Sequence, residues 1–169
     1  IESRRFVSLE QLPLTALQFA VTPLDGPAQI SLTTGIDATQ TNSGRQHLNE
    51  LSVRGFDQHY LQGTYETQDS ASDVVISASC RMSTDSESCF TAKNRRLNCH
   101  HAVNAEEGQT VMLEKIVWVT HRSEKEISLE SFARNAMTEL KICAARGYEA
   151  LREQTSLAWE DGWNRCRVE

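Results

Sequence analysis

A chain of 169 residues with 39% hydrophobic residues is long enough to bury one ordinary core, which excludes disorder over most of its length. Its formal charge of -6 is spread without a basic stripe, which excludes an electrostatic footprint for nucleic acid. No run approaches the roughly 20 apolar residues that cross a bilayer, so a membrane partner is not expected and the chain reads as cytoplasmic.

From Arg4 to Gly44 the pattern predicts three consecutive strands. Arg5, Val7 and Leu9 share one face of the first, Leu17, Phe19 and Val21 one face of the second, and Ile30, Leu32, Thr34 and Ile36 one face of the third. Each set recurs every second residue, the strand period. Pro13 marks the first break, and Pro23, Asp25, Gly26 and Pro27 the second, which predicts antiparallel neighbours joined by turns. Arg45 to Gln58 has neither period and reads as a loop.

Tyr60 to Thr67 is predicted as a strand with Leu61 and Tyr65 on one side, followed by a polar turn. From Asp73, Val74, Ile76, Ala78, Cys80 and Met82 alternate with Val75, Ser77, Ser79 and Arg81, which predicts one buried face and one mostly wet face. A short link leads to a return strand starting at Cys89. Leu97, Cys99, His101 and Val103 form another alternating set, and Val111 to Thr120 is the longest β-branched run, apolar on both faces, which predicts a central, covered strand.

The period then changes. Leu129, Phe132, Ala133, Ala136, Met137, Leu140, Cys143 and Ala144 fall at three- and four-residue steps on one side of a helix, with Ser128 as the predicted cap and Ser131 as the alternative. Gly147 interrupts it. Tyr148, Leu151, Thr155, Ala158 and Trp159, extended by Trp163 and Cys166, continue at helical spacing. The fold class is therefore mainly β, an antiparallel β-sandwich over residues 1–125 followed by two C-terminal helices over 126–169. The start at Ile1 and the helical run to Glu169 without a stop signal read as a removed tag or a piece of a larger polypeptide.

The order of Ser3-Arg4-Arg5-Phe6, Leu17 to Leu24, Gly35-Ile36-Asp37, Asn42-Ser43-Gly44, Lys115 to Thr120, Gly147-Tyr148 and Trp159 to Trp163 resembles the N-terminal β-sandwich domain of glycoside hydrolase family sixty-five. That family contains inverting disaccharide phosphorylases acting on maltose, trehalose and kojibiose. The resemblance implies a galactose-mutarotase-like supersandwich, whose first part would lie ahead of Ile1, and linker helices leading to a catalytic (α/α)6 barrel absent from this chain. It implies that the general acid and the phosphate-binding residues lie in that barrel, that this chain alone is no enzyme, and that inorganic phosphate is a co-substrate of the parent. The partners it implies are the barrel, a homo-oligomer and, through the parent only, a disaccharide.

The residues themselves carry little catalytic signal. Inverting chemistry needs a carboxylic acid whose pKa burial keeps raised. Glu106 and Glu107 sit in a turn, Glu114 on a strand suits a cross-strand ion pair, and Glu160 and Asp161 fall on a helix surface, so no pair stands out. Cys80, Cys89, Cys99, His100 and His101 are zinc-ligand types, but cysteines nine and ten positions apart lack the paired spacing of structural zinc sites. Five cysteines without such pairs fit a reducing compartment, each as a small buried residue, and leave no evident Cys/His nucleophile.

Trp118, Trp159 and Trp163 could stack on a sugar, although helical spacing of the last two suits packing against a neighbouring domain better. Arg4 and Arg5 could reach a phosphate or form interdomain ion pairs, and His47 is open to either reading. Arg4, Arg5, His47, Trp159 and Trp163 are thus the carbohydrate or domain-interface candidates. A self-standing carbohydrate-binding sandwich and an interaction module unconnected with sugars are the alternatives. The apolar face of the helical tail is expected to dock on the sandwich, the barrel or both.

Overall fold

The computed structural model describes residues 1–166. Among these residues, strands β1 (Glu2–Val7), β2 (Leu14–Val21), β6 (Leu48–Phe56), β7 (Tyr60–Thr67), β8 (Asp73–Met82) and β11 (Val111–Arg122) form one antiparallel sheet in the order β1-β2-β11-β8-β7-β6. A second antiparallel sheet has the order β3-β10-β9, from β3 (Ala28–Asp37), β9 (Glu87–Lys93) and β10 (Arg96–Ala105). The two-residue strands β4 (Thr41–Asn42) and β5 (Arg45–Gln46) make a small hairpin turned by Ser43 and Gly44, both with positive φ. Helices α1 (Leu129–Arg146) and α2 (Tyr148–Arg165) follow.

The six-stranded sheet is the middle of three layers, an antiparallel β-sandwich plus helices. On one face Leu61, Tyr65, Ala78, Cys80 and Leu113 pack against Ile36, Leu97 and Cys99 of the smaller sheet. On the other, Leu14, Ala16, Tyr60 and Ile116 pack against Met137, Leu140, Cys143, Tyr148 and Leu151 of the helices. Burial on both faces is why β11 carries apolar residues at consecutive positions, and why it sits between β2 and β8. Within β7, Gly63 lies under the Tyr65 ring; a Cβ there would stand 2.3 Å from the phenol oxygen.

Four strand readings need correction. The turn before β3 does not make it a neighbour of β2: Thr22 to Pro27 carries the chain to the other sheet, where Ile30, Leu32 and Ile36 lie opposite Val103, His101 and Leu97. In β1 the packed side chain is Phe6, edge-on to Tyr148, while Arg5 and Val7 are exposed and Leu9 falls beyond the strand. The irregular stretch is strand β6. Its register shifts between Glu50 and Ser52, and the extra residue, Leu51, hides the two-residue period. The expected wet face of β8 is covered by α1, so Ser77 and Ser79 are buried, and Ser77 accepts a 2.9 Å hydrogen bond from Gln62 Nε2.

The helical reading stands for α1 and for α2 as far as Arg165; Cys166 is the C-cap of α2, and the expected continuation to Glu169 lies outside the described residues. Ser128 caps α1 by accepting from the Ser131 amide at 3.2 Å, and Gly147, at φ 78°, ends α1 in a backbone conformation that favours glycine. One feature of the entry into α1 was not legible. Buried Asp73 pairs with Arg122 at 2.8 Å and with Lys125 at 3.3 Å, while Arg122 donates to the Ile127 carbonyl at 2.6 Å and lies 4.6 Å from the centre of the Phe132 ring. This clamp fixes the path from the sheet into the helical layer.

Candidate functional site

Two regions carry chemistry-bearing side chains, one along α2 and one at an end of the sandwich. Along α2, a single apolar stripe runs from Tyr148 through Leu151 and Thr155 to Trp159 and Trp163, at the three- and four-residue steps of one helix face. Its first half is buried on β2 and β11. Its second half is not: Trp159 and Trp163 are 48% and 68% exposed, with ring centroids 6.4 Å apart and planes at 25°. The third tryptophan, Trp118, packs into the helix-side core.

Arg4 belongs to the buried end of the same helix. Its guanidinium donates to Glu149 Oε1 at 2.6 Å and to the Gln18 amide oxygen, and lies 5.5 Å from the Tyr148 ring centre. Glu114 reaches this helix as well. Instead of a cross-strand ion pair it accepts the Tyr148 amide at 2.9 Å, so a carboxylate on β11 caps the N-terminus of α2. Arg5 is exposed on β1. His47 lies beside β6, five strand spacings, roughly 24 Å, from β1. Its contacts are local, Nε2 at 3.3 Å from the Asn42 carbonyl and Nδ1 at 3.8 Å from Asp69. Arg4 on β1 therefore contacts the first turn of α2, Trp159 and Trp163 lie about 15 and 21 Å further along that helix, and among the described residues Arg5 and His47 do not contact it.

The carboxylate candidates do not assemble. Glu106, Glu107, Glu160 and Asp161 are exposed, Asp161 pairs with Arg165, and Glu114 is committed to its cap. Among the described residues the buried carboxylate is Asp73, which is paired with Arg122 and Lys125.

The second region is a cavity of about 410 Å³ between the start of β7, the end of β8, the start of β9 and the middle of β10, lined by His59, Arg81, Thr84, Asp85, Ser86 and His101 among others. The two-residue alternation of β10 puts Cys99 and His101 on one face, with Sγ 3.2 Å from Nε2, while His101 Nδ1 lies 3.2 Å from Ser86 Oγ. This pair is a contact that spacing alone did not single out. Burial pushes the Cys99 thiol up to about 11 and the His101 imidazole below its ordinary value of 6.5, which favours the neutral form of each. Burial also pushes Cys80 up to about 12. Among the described residues no group of three His, Cys, Asp or Glu side chains is placed to hold a metal ion.

Sequence reasoning missed His59, Thr84 and Asp85 and gave Arg81 no role. His59 follows a tight turn at Asp57-Gln58, both at positive φ, Thr84 and Asp85 lie in the polar link after β8, and neither segment has a periodic signal; Arg81 is the solvent-facing residue near the end of β8.

His101 gives the chain a pH dependence. Its folded-state pKa lies below the unfolded one, so the unfolded chain binds the extra proton first, and the stability contributed by the neutral ring is complete above 6.5 and lost as pH falls below it. Urea denaturation of wild type should therefore show falling stability from about pH 7 to pH 5. In His101→Gln that fall should be shallower, and parallel profiles would show that the buried imidazole does not titrate with unfolding.

Comparison with known proteins adds three findings. The family model described as "Glycosyl hydrolase family 65, N-terminal domain" matches residues 1–162. The chain is 45% identical to a kojibiose phosphorylase of Escherichia coli (strain K12) over 168 residues, and 24% identical to one of Halothermothrix orenii over 176 residues. These matches cover 99% and 98% of this chain but 22% and 23% of the relatives, so the chain spans less than a quarter of their length. A solved human-microbiome protein assigned as a kojibiose phosphorylase superposes with a TM-score of 0.81 at 11% identity, over 92% of this chain and 20% of that one, a likeness of fold.

Proposed function

Because the chain belongs to glycosyl hydrolase family 65, as an N-terminal domain of that family, we propose that it is the non-catalytic β-sandwich region of a glycoside phosphorylase or hydrolase acting on α-linked glucosyl disaccharides. Its role is to brace the catalytic barrel and to supply oligomer contacts. In this reading the general acid and the site for inorganic phosphate belong to the barrel, and the parent works in the cytoplasm. No helix among the described residues is long and apolar enough to cross a membrane.

The observation that carries the reading is the α2 stripe. A helix whose first half is buried and whose second half presents two stacked, exposed indoles on the same stripe is built to be covered further along. Each large side chain on it is worth roughly 1.5 to 3 kcal/mol when fully buried. The exposed aromatic pair stands on a helix and not on a sheet face, which favours domain packing over a self-standing carbohydrate-binding sandwich.

Amide hydrogen exchange tests this. Residues 158–165 should exchange slowly in a complete polypeptide carrying this sequence and fast in the 169-residue chain. Trp159→Ser should raise exchange there in the complete polypeptide. Equal exchange of that segment in both proteins would leave the stripe without a docking role.

A further inference from the structure

The cavity at the end of the sandwich is used by none of the roles assigned so far. Its lining is polar and its two formal charges are not matched to each other: Arg81 donates to the Tyr60 phenol at 3.2 Å, and neither it nor Asp85 is in an ion pair among the described residues. Both face the same space of about 410 Å³, within the usual range for a small-molecule site. A neighbouring hollow of about 420 Å³ shares Asp85 and Ser86 and adds Gln29, Glu87 and Asn104, which continues the polar lining. Two further groups of the lining residues lack partners: His59 Nε2 and Thr84 Oγ1 are covered from solvent and make no hydrogen bond among the described residues.

Charge decides the ligand class. Burial keeps His59 and His101 neutral, and the positive charge of Arg81 further disfavours protonation of His59. The main cavity thus balances one guanidinium against one carboxylate, and Glu87 next to it adds negative charge, so a free anion such as phosphate is disfavoured. A guanidinium that offers donors and a carboxylate that offers acceptors, held apart without pairing, complement hydroxyl groups that both give and accept hydrogen bonds. We propose that this cavity is a binding site for a neutral polyhydroxylated ligand, a mono- or disaccharide, held by Arg81 and Asp85 with Thr84 and His59 completing its hydrogen bonds. The site is separate from the α2 stripe and does not depend on the bracing role, so each can fail without the other.

The test is histidine imidazole and backbone amide NMR of the 169-residue chain titrated with glucose, with a glucosyl disaccharide and, separately, with inorganic phosphate. A saturable shift of the His59 and His101 resonances with sugar and none with phosphate is expected. Arg81→Gln and Asp85→Asn, both at exposed positions, should each weaken sugar binding by at least about tenfold while keeping amide dispersion. Trp159→Ser should leave it unchanged. No saturable shift with either sugar, equal affinity in both cavity variants, or an Arg81-dependent shift with phosphate would overturn the proposal, the last by making this an anion site.

Discussion

Replacing Asp73 by Ala lowers the unfolding free energy of the chain by about 3 kcal/mol, in the range for breaking a buried ion pair from one side. The reason is what remains. The side chains of Asp73 and Arg122 are only 4% and 11% exposed, so the truncation leaves a guanidinium without its carboxylate in a place that water barely reaches. Arg122 also holds the Ile127 carbonyl and the Phe132 ring, so its displacement loosens the entry to α1. Asp73→Asn, which keeps an acceptor but not the charge, should fall between wild type and Ala. Urea denaturation measures this, and a loss below about 1 kcal/mol would mean that the pair is solvated after all.

Tyr148→Ala has an effect as large and of a different kind. Tyr148 is fully buried between Phe6, Arg4 and the sheet, at the first residue of α2, and truncation of a buried aromatic costs about 3 to 5 kcal/mol. Because Glu114 caps the helix through the Tyr148 amide, the backbone anchor survives the substitution while the side-chain anchor does not. The loss should therefore appear first as fast amide exchange along α2 with the sheet still protected. Uniform loss of protection would show that α2 and the sandwich unfold as one unit.

The elements that were legible in the sequence are those with an undisturbed period or a long apolar run. β10 and α1 each bury one set of residues at their own period, β7 and β11 are covered on both faces and show as apolar runs, and α1 also carries its own Ser128 start signal. Sequence reading failed where tertiary structure overrode local pattern. The bulge at Leu51 erased the alternation of β6, and the helical layer buried Ser77 and Ser79, whose hydroxyls read as solvent-facing. The partner of β3 is a strand some sixty residues later, which turn chemistry at Pro23 to Pro27 cannot specify. At the candidate sites the shared helix face of Trp159 and Trp163 was legible from spacing, while a binding or interface role for them and for Arg4 is a proposal. The cavity was not, because its members converge from a tight turn, a loop and three strands of both sheets, whose juxtaposition no local period specifies.

The proposed non-catalytic role requires that this domain carry no catalytic carboxylate of its own. The most direct measurement is release of glucose 1-phosphate by the purified 169-residue chain given inorganic phosphate and an α-linked glucosyl disaccharide, with a complete polypeptide carrying the same sequence run alongside. The chain should release none while the complete polypeptide does, and turnover by the chain that survives repurification would contradict the account.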